Sequence, residues 1–319
     1  MSNDVARGGT ELMLGRLQES LPELCEKVQI ICSRPELVPH EDKPRILWLH
    51  DLPQDPASQC LRDPSYRTKF NRIVFVSHWQ QQMYNVFLGI PYNEGTVIKN
   101  AVPTIEAEFP KPKLDGKLRF IYTSTPHRGL GLLSAAAKVL AEQRQDWQLD
   151  VYSSFKLYGP ERAAQDEQYE PLYDELRANP CVVYHGTAPE NEVREAVSAA
   201  HVFVYPSVYP ETSCLAAIEA MMAGCLTITT NFGALIETCG EWAWMMQWTE
   251  NYNILAQMTL DNMLRAFEVY DREETQNLLQ VQMGYYQNFF SWHTRVPAWK
   301  RLLEYAVQQG TPDEKLVLG

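Results

Sequence analysis

The sequence contains no run of about 20 apolar residues, and no basic segment followed by an apolar one near its start. The expectation is therefore a chain that neither spans a membrane nor carries a secretion signal, with peripheral association as the closest approach to a bilayer. Its seven cysteines include no CxxC pair and no Cys/His zinc spacing, which reads as reduced thiols in a cytoplasmic protein. Positive charge is scarce: 28 Lys and Arg face 40 Asp and Glu, a net charge of −12. That balance argues against nucleic acid as a partner, and any phosphate site must be local. Internal repeats and low-complexity tracts are absent. What is present is a chain of 319 residues, 45% of them hydrophobic, longer than one core usually organises, so two domains are expected.

The most informative stretch runs from Val202 to Thr230. The apolar run Val202-Phe203-Val204-Tyr205 is halted by Pro206, a polar loop follows, Leu215 to Ala223 reads as a helix, and Gly224 precedes a second apolar run. Two carboxylates mark this unit, Glu211 and Glu219, eight positions apart. At about 100° per residue, eight steps miss two full turns by roughly 80°, so the pair would not share one helical stripe. Glu211 is thus placed in the loop and Glu219 inside the helix. Thr212 or Ser213 is expected as the N-cap and Gly224 as the left-handed stop. The amides of Ser213, Cys214 and Leu215 would then face an anion. A carboxylate beside an anion site suits a ligand that carries both hydroxyls and phosphate, as a sugar linked to a diphosphate does.

Pro206-Ser207, Tyr209-Pro210-Glu211-Thr212-Ser213 and Glu219-Ala220-Met221 with Gly224, followed by the turn Thr230-Asn231-Phe232-Gly233, resemble the E-x(7)-E signature of retaining glycosyltransferases of the GT-B fold, family 4 (glycosyl transferases group 1). A capped core helix with one exposed glutamate is the plain alternative. The resemblance implies an α/β architecture of two Rossmann-like, doubly wound parallel-sheet domains facing a cleft, the first unusually short. Residues 1–108 would form the acceptor-side domain, 109–290 the donor-binding domain, and 291–319 a helix crossing back to the first. It also implies a nucleotide-sugar donor, a glycan or lipid-linked acceptor, and neither metal nor cofactor; the sequence has no D-x-D metal motif.

In the first half, Gly8-Gly9-Thr10-Glu11 leads into Leu12, Leu14, Leu17 and Leu21, a near-helical spacing opened by a Thr that can cap. Gly9 would allow close approach of a ligand, as the similar turn does in the family, or the segment is a tail before an amphipathic helix. The family has a full strand before this turn, so either that strand is absent here or the start is truncated. Segments 28–32, 45–49 and 72–77 read as strands and His78 to Leu88 as a helix. His50 ends the second strand, where parallel sheets bind ligands, and family members similarly have a sugar-contacting His there. A histidine bonded to its own loop is the competing reading. The segment Thr96 to Val102 resembles the family's V-I-x-N-G-V, and Pro103 to Lys117 reads as the linker.

In the second half, Leu118 to Tyr122 reads as a strand that turns at Thr123 to Leu130 into a helix over 131–143. Arg128 precedes Gly129 where the family has a Lys-Gly or Arg-Gly pair, so the resemblance assigns its guanidinium to the diphosphate. The second basic residue of many members is missing; Ser124 or Thr125 stands in its region, and Lys156 is the substitute. A dinucleotide-like pattern, Gly129-x-Gly131-x-x-Ser134 with Asp150 beyond, is set aside because Asp150 falls at the wrong end of its strand. Strand 181–186 leads to Gly186, which in the family lines the nucleobase pocket, and His185 reads equally as a strand-end residue or a ligand contact. The turn at Gly233 would present amides to phosphate or sugar. The aromatic run from Tyr285 to Trp292 reads as core.

The expected activity is retaining sugar transfer from a UDP- or GDP-type donor, with Glu211, Arg128 and His50 at the reaction centre and Glu219 on the ribose. An epimerase or hydrolase on the same fold and a non-catalytic sugar-nucleotide-binding protein are the alternatives.

Overall fold

The computed structural model describes residues 8–113 and 115–312; Arg7, ahead of the Gly8-Gly9 turn, lies outside them. Two compact units divide the chain, one formed by Gly9–Pro103 together with the segment from Phe290 onward, the other by Thr104–Phe289.

The first unit is built on four parallel strands, β1 (Gln29–Cys32), β2 (Arg45–Leu49), β3 (Arg72–Phe75) and β4 (Gly95–Val97), hydrogen-bonded in that order. Chain order and spatial order coincide, so every crossover winds in one direction. Strand β2 is buried at all five positions, as expected of a parallel strand covered on both faces. The helix His78–Leu88 starts at Ser77, whose side chain accepts from the Gln80 amide, and stops at left-handed Gly89, the two local signals that fix its length. The N-terminal helix Gly9–Ser20 departs from expectation. It already includes Gly9 and Thr10, so Thr10 is not its cap, and it buries Met13 and Leu17.

The helix Trp292–Gln309 packs within this first unit. Its Trp299 ring lies 4.4 Å from the ring of Trp48 on β2, Trp292 Nε1 donates to Ser20 Oγ at 2.7 Å, and Arg295 Nε donates to the Lys99 carbonyl at 2.9 Å. The aromatic run ahead of it is core only in part. Tyr286 and Phe290 are buried, whereas Tyr285 and Phe289 are 39% and 57% exposed. Residues four apart share a helical face, so 286 with 290 and 285 with 289 fall on different sides.

The second unit carries six parallel strands: β5 (Leu118–Thr123), β6 (Trp147–Tyr152), β7 (Val182–Tyr184), β8 (Val202–Tyr205), β9 (Leu226–Thr230) and β10 (Trp244–Met246). Their spatial order is β10-β9-β8-β5-β6-β7. The chain enters at the centre with β5, winds outward through β6 and β7, and returns to the other flank of β5 as β8. The direction of winding reverses between β5 and β8, and it is outside the carboxyl ends of strands at such a reversal that doubly wound sheets hold ligands. Strands β8 and β9 are buried at every position. Strand β10 was not foreseen in the sequence because it is three residues long and lacks flanking periodicity.

Removing the ring that ties the terminal helix to β2, by Trp299→Ala, is expected to cost about 3–5 kcal/mol. An unchanged urea midpoint for the transition of the first unit would contradict that role.

Candidate functional site

Residues from two turns meet at the reversal between β5 and β8. After β5, Pro126–Arg128 form a single 3-10 turn that ends in Gly129 at φ 119°. A Cβ on Gly129 would lie 2.2 Å from the Pro206 carbonyl oxygen in the loop after β8. Only glycine lets the two loops touch, and the contact delivers Arg128 to the β8 loop. From the other side, Glu211 forms a parallel bridge with Gly233, and the Ala234 amide donates to the Glu211 carbonyl at 2.7 Å. Gly233 has φ 66°, and a Cβ there would lie 2.5 Å from the Glu211 amide nitrogen.

Glu211 is thereby held in a loop, as its spacing from Glu219 predicts, and it is 2% exposed. Its Oε1 accepts from Arg128 Nη1 at 2.5 Å and from Tyr205 Oη at 2.5 Å. The Arg128 guanidinium also lies over the Tyr209 ring, 4.4 Å from its centroid, a cation–π contact. Burial disfavours the guanidinium charge, but Glu211 and then the phenols around it more than reverse this, and the pKa of Arg128 rises well above its ordinary value. Burial and Glu211 together push Tyr205 and Cys214 well above theirs. One cation and one anion thus face each other among neutral phenols and a neutral thiol.

The expectation that Arg128 stands ready for phosphate is qualified by this geometry: it is ion-paired with Glu211. A partly buried guanidinium takes the nearest carboxylate, since an unpaired charge there would cost several kcal/mol. A correction concerns the N-cap of the helix Leu215–Met222. Its N-cap is Cys214, not Thr212 or Ser213, and no side-chain hydrogen bond caps it. Ser213 is half-buried ahead of the cap, and Cys214 and Leu215 contribute to the helix mouth through their main chain. Gly224, at φ 74°, provides the left-handed stop.

Glu219 lies one turn inside this helix and is paired with Arg194 of the neighbouring helix Glu190–Ala199, Nη1 to Oε1 3.2 Å. Arg194 Nη2 also donates to the Thr104 carbonyl at 3.0 Å. The structure therefore joins Glu211, Arg128 and Gly233 and gives Glu219 a different cation.

Lys156 and Gly186 belong to a cavity of about 380 Å³ at the carboxyl ends of β6 and β7, lined also by Ser154, Asp166, Tyr173 and Arg177. Asp166 is its anchor. It accepts from Ser154 Oγ at 2.5 Å, the Phe155 amide at 2.9 Å and Tyr173 Oη at 2.8 Å. Burial works against its charge, but these bonds and the nearby Lys156 hold the carboxyl below the usual range. Lys156 itself is exposed. His185, beside Gly186, has its Nε2 2.9 Å from Asp150 Oδ1 and stacks on Tyr152 with centroids 4.2 Å apart, so its ring is fixed from within the unit.

In the other unit, His50 follows β2 and its amide donates to Ser33 Oγ at 2.8 Å. Burial pushes its imidazole down to about 3, so it is neutral at ordinary pH. Gly9 opens the helix Gly9–Ser20. Tyr205, Tyr209, Asp166 and Arg194 were missed in the sequence because an isolated tyrosine, aspartate or arginine carries no spacing signal. Among the described residues no group of three or more His, Cys, Asp or Glu side chains could hold a metal ion, and no helix is long and apolar enough to cross a membrane.

Residues 103–253 match the family described as glycosyl transferases group 1. The chain has no match among curated protein sequences. Among solved structures it is similar to a glycosyltransferase from Rickettsia africae (13% identity, TM-score 0.67, covering 93% of this chain and 82% of that one). It is also similar to sucrose-phosphate synthase from Thermosynechococcus elongatus (18%, TM-score 0.66, 92% and 78%) and to Anabaena HepE in complex with UDP-glucose (16%, TM-score 0.65, 82% and 72%). With its two parallel sheets, the chain has the GT-B fold.

Because the Asp166 carboxyl titrates below its ordinary 3.8 in the folded chain, its stabilisation is complete above that pH and is lost as pH falls through the lower folded value. Asp166→Asn is expected to flatten this acid limb, read as Tm against pH from about 6 to about 2.5; an acid limb identical to that of the parent protein would contradict it.

Proposed function

Starting from a chain whose residues 103–253 belong to the glycosyl transferases group 1 family, we propose that it is a retaining hexosyltransferase. It takes a sugar from a nucleotide diphosphate donor of UDP or GDP type and passes it to a hydroxyl of a glycan or lipid-linked acceptor. The observation that carries this reading is the Arg128–Glu211 ion pair at the β5/β8 reversal, beside a helix N-terminus without a side-chain cap.

When the donor enters, Arg128 exchanges Glu211 for diphosphate oxygens, and the amides at Cys214, Leu215 and Gly233 share the remaining charge. Glu211, still held through Tyr205, then accepts from the sugar hydroxyls. The leaving diphosphate is stabilised by the protein's own cation and amides, and this proposal requires no metal. Glu211 is a poor nucleophile in this setting because the carboxylate is buried and Tyr205 still donates to its Oε1. Attack by the acceptor on the face the phosphate leaves, with the phosphate taking the proton, is the retaining route consistent with that arrangement. Glu219, oriented by Arg194, accepts from the ribose diol. The cavity lined by Lys156 and Gly186 would take the nucleoside.

A thermal-shift screen with UDP, GDP, ADP and their sugars identifies the donor, since binding raises Tm with ligand concentration. With that donor, Glu211→Gln is expected to slow transfer at least tenfold with little change in nucleotide affinity. Glu219→Ala should weaken nucleotide binding about tenfold, roughly 1.4 kcal/mol, and a chelator should leave the rate unchanged. Donor consumption that never requires an acceptor would replace transfer with hydrolysis or epimerisation, and tight donor binding without turnover would leave a binding protein.

A further inference from the structure

Five buried polar atoms without a hydrogen-bond partner in the protein fall in one small region: Thr123 Oγ1, Thr125 Oγ1, His127 Nδ1, Arg128 Nε and Ser153 Oγ. Thr123 is the last residue of β5 and is paired in register with Tyr152, the residue before Ser153. His127 stacks on Phe155, two residues beyond Ser153, with centroids 5.3 Å apart, and meets the Tyr209 ring edge-on at 5.7 Å. The atoms therefore lie along the carboxyl ends of β5 and β6, from the Arg128–Glu211 pair toward the cavity that begins at Ser154.

Thr125 and Ser153 are 2% and 1% exposed. Buried groups of this kind are normally satisfied, and an unmet one lowers stability. A cluster of them at a sheet's carboxyl edge marks a place where stability has been given up for something that arrives later. The arriving group must offer several hydrogen-bond acceptors at once, because Arg128 Nε has only a proton to give and the three hydroxyls are free to donate.

We propose that Thr125, His127 and Ser153 form a neutral hydrogen-bonding cradle for the donor's diphosphate, completing with uncharged donors what Arg128 begins as the single cation. This rests on the reading that the site takes a nucleotide diphosphate sugar. Burial and the adjacent Arg128 push the His127 imidazole down to about 4, in keeping with a neutral donor. Lys156, the candidate for a second cation, lies in the cavity wall.

The probe is inorganic pyrophosphate, which presents the diphosphate without base or sugar. Binding is measured by calorimetry and Tm by circular dichroism without ligand, on the full chain. Thr125→Val and Ser153→Ala are each expected to raise the ligand-free Tm by about 2 °C while weakening pyrophosphate binding about five- to tenfold. His127→Ala should weaken binding about tenfold, and His127→Gln, which keeps a neutral donor, should restore most of it. The proposal is overturned if Thr125→Val and Ser153→Ala lower Tm with affinity unchanged, which is the signature of a purely structural role, or if the parent protein binds no pyrophosphate. If the cradle variants behave as expected but no nucleotide sugar is consumed, the cradle stands and the transferase reading falls.

Discussion

The second unit is organised around one constraint: a charge taken out of water must meet an opposite charge. Glu211 is almost fully buried, and its carboxylate is satisfied by the Arg128 guanidinium and the Tyr205 phenol. Neither group could sit there without the other. Two backbone contacts that no side chain would tolerate hold the loops in place, Gly129 against Pro206 and Gly233 against Glu211. The strand order brings those loops together in the first place.

This arrangement gives a strongly acidic chain a local cation held among neutral groups. The guanidinium is partly desolvated and is oriented by Tyr209 and Glu211. Under the proposed function, exchanging carboxylate for phosphate would keep the charge paired throughout, so the full cost of an isolated buried ion would not be incurred. The surrounding groups are neutral because burial keeps them so: Tyr205, Cys214 and Tyr122 are all pushed above their ordinary pKa values. Preorganised dipoles around a single exchangeable cation are the economical form of electrostatic stabilisation.

The first unit shows a related device on a smaller scale. Ser33, at the carboxyl end of β1, has φ 60°, a left-handed conformation that costs a non-glycine residue energy. In that conformation its Oγ accepts the His50 amide at the end of β2, tying adjacent strand ends. The terminal helix returns to this unit to cover β2, where Trp48 and Trp299 pack ring to ring.

By itself the sequence determined what depends on neighbours a few positions away. Apolar runs of four to six residues separated by helical periodicity dictate parallel strands and crossovers. Ser77 and Gly89 bound the helix between them. The spacing of Glu211 and Glu219 around a loop and a short helix, and Arg128 before Gly129, were legible for the same reason. The tertiary structure alone decided which charges meet. Arg128 and Glu211 are 83 residues apart, and only the reversal of winding between β5 and β8 makes them neighbours. The packing of the Glu219 helix against Glu190–Ala199 pairs Glu219 with Arg194, 25 residues away in sequence. Cys214 replaced a hydroxyl as the cap, and the unmet polar atoms of Thr125, His127 and Ser153 are a product of folding alone. Local propensity acts along the chain, whereas pairing, desolvation and unmet hydrogen bonds act through space, and space is set by the strand order.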